Sequence, residues 1–214
     1  MVVTALRANA RAPGNVIIEL DGSRFASLPR DVIAALHLEV GEELDVAKHR
    51  RLSHLADAEA AYNRAVRMLT ARPRAINDLL RRLRAKGHNP SAASEAVGRL
   101  EAAGLLDDGV FAQHFTRARS ARDHGRARIL SDLLSQGVER LLAEQAIDKV
   151  LADEGVDPLD QVRKLAEKRA IQLRHLAPGT KKRRILGYLE RRGFVGWEVR
   201  GVVEEVVGGA GSDA

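Results

Sequence analysis

The chain has 214 residues, 45% of them apolar and 30% charged, with 3% aromatic and no cysteine. That length allows one or two domains with a packed core, and the missing cysteines exclude disulfide frameworks, thiolate catalysis and cysteine zinc sites. Thirty-five Lys and Arg against 29 Asp and Glu leave +6, a balance that points to a polyanion or to a protein surface beside one. The charge is uneven: residues 1–55 are neutral, 56–104 carry +4, 105–154 carry −2 and 155–214 carry +4. No apolar run approaches the roughly 18 residues of a membrane span, and the first fifteen residues lack the apolar core of a secretory signal. A cytoplasmic protein away from membranes is therefore expected. So few rings argue against a dedicated base-stacking single-strand binder.

In chain order, residues 1–14 read as a flexible tail. Residues 15–55 read as a small α+β hairpin module. Val16–Leu20 and Ser23–Leu28 flank Asp21-Gly22, a two-residue hairpin turn whose central positions both need positive φ. Pro29 opens a short helix through Val32, Ile33 and Leu36 that stops near Gly41, and Leu44 and Val46 are expected in one more strand. The stretch from Ser27 to Leu44 also resembles, faintly, AbrB-like swapped-hairpin DNA-binding domains, which would imply dimerisation through the head.

From Ala56 the periodicity becomes helical and repeats. Three glycines, Gly87, Gly137 and Gly193, anchor it. Before them lie Leu79, Leu80 and Leu83; Ile129, Leu130 and Leu133; and Ile185, Leu186 and Leu189. After them, at matching offsets, lie Ala93, Ala96, Val97 and Leu100; Ala143, Ala146, Ile147 and Val150; and Val199, Val202, Val203 and Val206. Spacing of i, i+1, i+4 before each glycine and of i, i+3, i+4, i+7 after it puts each set on one helix face, and each glycine has the place of a left-handed residue closing a helix. Upstream helices are expected at about Ala56–Thr70, Phe111–Ala121 and Leu159–Leu176. The fold class is thus mainly α: three tandem three-helix repeats (56–104, 105–155 and 156–207) in an elongated curved array, with a disordered tail over 208–214.

Catalytic constellations are missing from this pattern. The seven histidines form no i, i+4 pair and no HExxH, so no metal and no cofactor are expected. Asp107-Asp108 precedes a helix and reads as a cap. Gly179-Thr180-Lys181-Lys182 lacks the strand and the spacing of a phosphate loop. No catalytic residue, no enzyme activity and no small-molecule substrate are expected.

The basic clusters carry the candidate site. Arg72, Arg74, Arg81, Arg82, Arg84 and Lys86 surround the second helix of the first repeat. Arg117, Arg119, Arg122, Arg126 and Arg128 straddle the first two helices of the second. Lys181, Lys182, Arg183, Arg184, Arg191 and Arg192 flank the apolar seam of the third. Guanidinium forks suit phosphate or carboxylate, and stacking of the repeats would align the three clusters.

These residues also carry a family pattern. Gly104-Leu105-Leu106-Asp107-Asp108, Phe111-Ala112, Phe115, Arg117, Arg119, Gly125-Arg126, Ile129, Leu133 and Gly137 together resemble the central signature of the RecX regulatory proteins, modulators of the RecA recombinase. Arg72-Pro73-Arg74, Leu79, Leu83 and Lys86-Gly87 resemble the family's first repeat, and Arg191-Arg192-Gly193-Phe194 its last. Departures are Gln136, where a basic residue is usual, and His88-Asn89 after the first anchor glycine.

A monomer is expected, and the resemblance implies binding in the groove of the RecA–DNA filament. It implies suppression of ATP hydrolysis, strand exchange and filament growth, a place in DNA repair, recombination and the SOS response, and non-specific contact with single- and double-stranded DNA. The alternative reading is a stand-alone DNA-binding protein or transcriptional regulator with a basic helical face.

Overall fold

A computed structural model of the chain describes residues 1–155 and 157–209. The chain divides into two compact units, the first ending at Leu106 and the second beginning at Asp107.

The first unit opens with a three-stranded antiparallel meander, β1 (Val3–Ala8), β2 (Asn15–Leu20) and β3 (Ser23–Pro29), in the order β1-β2-β3. Asp21 and Gly22 make the β2–β3 turn with φ of 46° and 77°, the doubly positive pair expected of that dipeptide.

Strand β1 corrects the expectation of a flexible tail over 1–14. Its register runs from Val3 opposite Leu20 to Ala8 opposite Val16, and Val3 is fully buried. A bulge between Val3 and Ala5 breaks the two-residue alternation, which hides the strand from pattern reading. The chain at Gly41–Leu44 then returns beside this strand: Val3 N donates to Glu42 O (2.9 Å), and Gly41 N donates to Val3 O (2.8 Å).

After α1 (Arg30–Ala35) the expected strand at Leu44–Val46 does not form. Glu43 makes only an isolated bridge to Val2, and Asp45 instead caps α2 (Val46–Ala71), its Oδ1 accepting from Lys48 N at 2.7 Å. A good N-cap followed by 26 residues without Gly or Pro favours one long helix over a strand and a break. Consequently the expected module boundary at 55/56 falls inside α2. Leu52 near its start closes the head core with Ile18, Leu20, Leu28 and Ile33, while Ala61 and Ala65 further along belong to the next core.

Three-helix packing then repeats. Helices α3 (Ile76–Ala85) and α4 (Pro90–Ala102) complete the first repeat on the C-terminal part of α2. In the second unit, α5 (Asp108–Ser120), α6 (Arg126–Ser135) and α7 (Arg140–Asp153) form the second. Helices α8 (Pro158–Gln172), α9 (Pro178–Arg192) and α10 (Trp197–Gly209) form the third.

Burial agrees with the repeat position by position. The first and third residue of each triad (Leu79 and Leu83, Ile129 and Leu133, Ile185 and Leu189) are all fully buried, and the middle one is half-buried each time. Every third-helix seam residue is buried except Val206, which is half-buried. Asp107 caps α5 as expected, accepting from Gly109 N and Val110 N at 2.7 and 2.9 Å. Gly208 and Gly209, expected in the tail, end α10, and residues 210–214 lie outside the described residues.

Candidate functional site

Each repeat ends its second helix in the same way. Gly87, Gly137 and Gly193 have φ of 89°, 89° and 88°. Their N–H groups donate to Arg84, Leu134 and Glu190, and the following N–H groups of His88, Val138 and Phe194 reach back to Leu83, Leu133 and Leu189. This is a Schellman close, in which the residue after glycine tucks into the core. Val138 and Phe194 fill that place with apolar surface. His88 fills it in the first repeat, its Nδ1 2.6 Å from Asp57 Oδ1, while Asn89 N donates to Asp57 Oδ2 at 2.7 Å. Asn89 also caps α4, accepting from Ser91 N. The His88-Asn89 departure therefore keeps the turn by a polar route.

On this scaffold the basic clusters separate into two kinds. Asp78, buried to 1% exposure in the first turn of α3, accepts from Arg74 (2.9 Å), Arg81 (2.6 Å) and Arg82 (2.8 Å). Burial opposes its ionisation, but hydrogen bonds from Arg82 and Arg74 and the charges of Arg82 and Arg81 outweigh that cost and hold the carboxyl below the usual aspartate range. In the second repeat Asp132 is paired by Arg128 (3.1 Å) and Arg119 (3.4 Å), whose guanidinium also lies 4.9 Å from the Phe115 ring centre.

Arg126 makes a two-pronged contact with Asp148 at 3.0 and 3.1 Å, and Lys182 pairs with Glu204 at 2.5 Å. These two ties are the same tie. In both repeats the cation stands eleven residues before the anchor glycine and the carboxylate eleven after it, joining second helix to third. The equivalent positions of the first repeat are Ile76 and Gly98.

Arg192 holds a junction inside the second unit. Its Nη1 donates to the carbonyls of Arg122 (3.0 Å) and Asp123 (3.1 Å), and its guanidinium lies 4.9 Å from the Tyr188 ring centre. Beside it Gly125 N donates to Arg192 O at 2.7 Å. The backbones meet so closely that a Cβ on Gly193 would stand 2.3 Å from Arg128 N, and one on Gly125 would stand 2.7 Å from Gly193 O. The glycine of the central signature is thus required by the approach of the third repeat.

The remaining candidates make no ion pair among the described residues. They are Arg72, Arg84 and Lys86 in the first unit, and Arg117, Arg122, Lys181, Arg183, Arg184 and Arg191 in the second. All are exposed except half-buried Lys181. The carboxylates of Arg74, Arg81, Arg82 and Arg128 lie three or four residues away and are a local signal that sequence reading did not use, whereas those of Arg119, Arg126 and Lys182 come from another helix 13 to 22 residues away. Sequence reading passed over Arg200 and Trp197 altogether. Trp197 at the start of α10 is 81% exposed, and the signal for it was its being the chain's one tryptophan at a helix start outside the apolar seam. Among the described residues no group of three or more His, Asp and Glu is placed to hold a metal, and no helix is long and apolar enough to cross a membrane.

Comparison with known proteins matches residues 61–100 to the RecX first three-helix domain and residues 107–147 to the RecX second three-helix domain. The regulatory protein RecX of Halorhodospira halophila is 35% identical over 68% of this chain and 87% of its own length. That of Pelodictyon phaeoclathratiforme is 30% identical over 71% and 91%. Among solved structures, a crystal structure of regulatory protein RecX superposes with a TM-score of 0.72 at 21% identity, covering 95% of this chain and 98% of the other. That span takes in the head module as well as the repeats. The RecX structure from Lactobacillus salivarius matches 70% of this chain and 96% of its own, with a TM-score of 0.60 at 24% identity.

Proposed function

Since the chain belongs to the RecX family of regulatory proteins, we propose that it acts on the RecA recombinase without chemistry of its own. It binds in the groove of the RecA–DNA filament and suppresses ATP hydrolysis, strand exchange and filament growth. The observation that carries this reading is the set of cations left over after internal pairing, present in every repeat: Arg72, Arg84 and Lys86; Arg117 and Arg122; Arg183, Arg184 and Arg191. A cation already held by a carboxylate of its own fold offers a partner little. An exposed guanidinium without one is available to DNA phosphate or to a protein carboxylate. A protein that contacts neighbouring protomers through several such groups would hold their relative geometry, which turnover of ATP at their interface has to change.

The test is single-strand-dependent ATP hydrolysis by the host RecA, titrated with this protein below one molecule per protomer. Inhibition at low ratio that persists in excess free DNA is the expected result. Inhibition only when the DNA itself is saturated would instead establish the stand-alone DNA-binding reading. Arg126 and Arg128 are poor probes of the contact surface, because both are tied to carboxylates of the second repeat.

A further inference from the structure

The third repeat carries an exposed patch that neither its core nor its ion pairs use. Trp197 is 81% exposed and Val195, two residues before it, is 62% exposed. Phe194 between α9 and α10 is buried in the core of the repeat. Gly196, at φ 129°, takes a conformation that other residues rarely adopt, so the turn sends one aromatic ring inward and leaves the next in water. Trp197 and Arg200 line one shallow depression together. A second, sharing Val195 and Glu190 with it, is lined by Arg191, and a third, again sharing Glu190, is lined by Arg183. Arg183, Arg191 and Arg200 have no carboxylate partner among the described residues, and Glu190 is the one carboxylate lining the three depressions.

We infer that Trp197 is a stacking platform for one base of a single-stranded nucleic acid whose phosphates are taken by Arg183, Arg191 and Arg200. An exposed indole offers a flat apolar face, and a nucleobase is the flat partner that arrives with phosphates attached on either side. One ligand thereby answers both the ring and the unpaired guanidiniums. A duplex does not, since its base faces are covered by their own stack. An apolar protein surface would cover the indole but leave the cations unanswered. A single ring is fewer than a dedicated single-strand binder uses, so stacking here supplements phosphate contact. The inference rests on the reading of the basic face given above, and its binding measurements are made without RecA, so that failure of one leaves the other measurable.

Because the full chain has one tryptophan, indole emission excited at the red edge, where its two tyrosines do not absorb, reports this site alone. Titration with a fifteen-residue oligothymidylate should quench that emission, while an abasic sugar-phosphate oligomer of equal length should bind without quenching. W197A, which removes an exposed side chain, should keep its helical circular dichroism and lose roughly tenfold in oligothymidylate affinity, and W197F should lose less. Unchanged emission at saturating oligothymidylate, or equal affinity of W197A and wild type, would overturn the inference. So would a W197A protein that binds oligothymidylate normally yet suppresses RecA ATP hydrolysis poorly, since the indole would then face protein.

Discussion

At the scale of single residues, the three anchor glycines share a conformation but not an environment. Around Gly87 a Cβ would meet nothing within 4 Å, whereas at Gly193 it would strike the backbone and side chain of Arg128. Gly87→Ala should therefore cost about 1 kcal/mol, the price of left-handed backbone alone. Gly193→Ala should cost about 3 kcal/mol or more, because two repeats must separate to admit one methyl. Urea unfolding of both variants checks this, and equal losses would show that the junction yields easily.

Asp78 is the other decisive residue. Arg81 and Arg82 are 60% and 43% exposed and can turn to water, but Arg74 is 11% exposed and cannot, so Asp78→Ala should lose about 3 kcal/mol at neutral pH. The sign with acid follows from its lowered pKa. The folded form holds the carboxylate more tightly than the unfolded one, so the stabilisation is complete above the ordinary aspartate value. It fades as pH falls below about 4 through the depressed folded value. Thermal melts of wild type and Asp78→Asn should accordingly converge in acid and diverge at neutral pH. None of this was visible beforehand: the positions equivalent to Asp78 in the other repeats are Arg128 and Arg184, so the repeat pattern itself gives no hint of a buried acid.

Among the elements, α2 decides the architecture of the first unit. At a rise of 1.5 Å per residue its 26 residues extend about 39 Å, enough to serve two cores with one rigid rod. Leu52 is fully buried at the head end and Ala65 at the repeat end. Leu52→Ala should cost about 2–5 kcal/mol. Because the apolar residues it touches belong to the head, hydrogen exchange should quicken in β1–β3 while amides of α3 and α4 stay protected. Loss of protection in all of them together would mean that the two cores unfold as one. The matching ties Arg126–Asp148 and Lys182–Glu204 are element-level features too. Their exposed geometry makes each worth little in stability, and their value lies in setting the second helix against the third.

For the whole molecule, the proposed function depends on which cations remain unpaired and where they lie. Both units carry them, Arg84 and Lys86 in the first and Arg183 and Arg184 in the second. If each contacts one phosphate, neutralising a pair with Gln should reduce the slope of log binding constant against log salt by about 1.4 on single-stranded DNA. Neutralising both pairs should reduce it by about twice that. A slope unchanged by the pair in one unit would remove that unit from the nucleic-acid contact. Arg126→Gln, by contrast, should leave the slope where it was.

The sequence by itself determined the repeat. The spacing of Leu79, Ile129 and Ile185, the anchor glycines and the Asp107 cap are local rules of helix periodicity and helix ends, and these act within one or two turns of chain. The Asp21-Gly22 hairpin was legible for the same reason. Tertiary structure alone decided the rest. Strand β1 forms because its partner lies across the hairpin and a bulge conceals its alternation. Helix α2 runs on through the expected boundary because two cores need it. Arg126 and Lys182 are paired because Asp148 and Glu204 approach from another helix, whereas Arg74, Arg81, Arg82 and Arg128 find carboxylates three or four residues along the chain, and Asp78 sinks into a core that its neighbours in sequence do not reveal. Periodicity and i, i+4 pairing are written in nearby residues, whereas burial and the ties between helices depend on groups that only folding brings together.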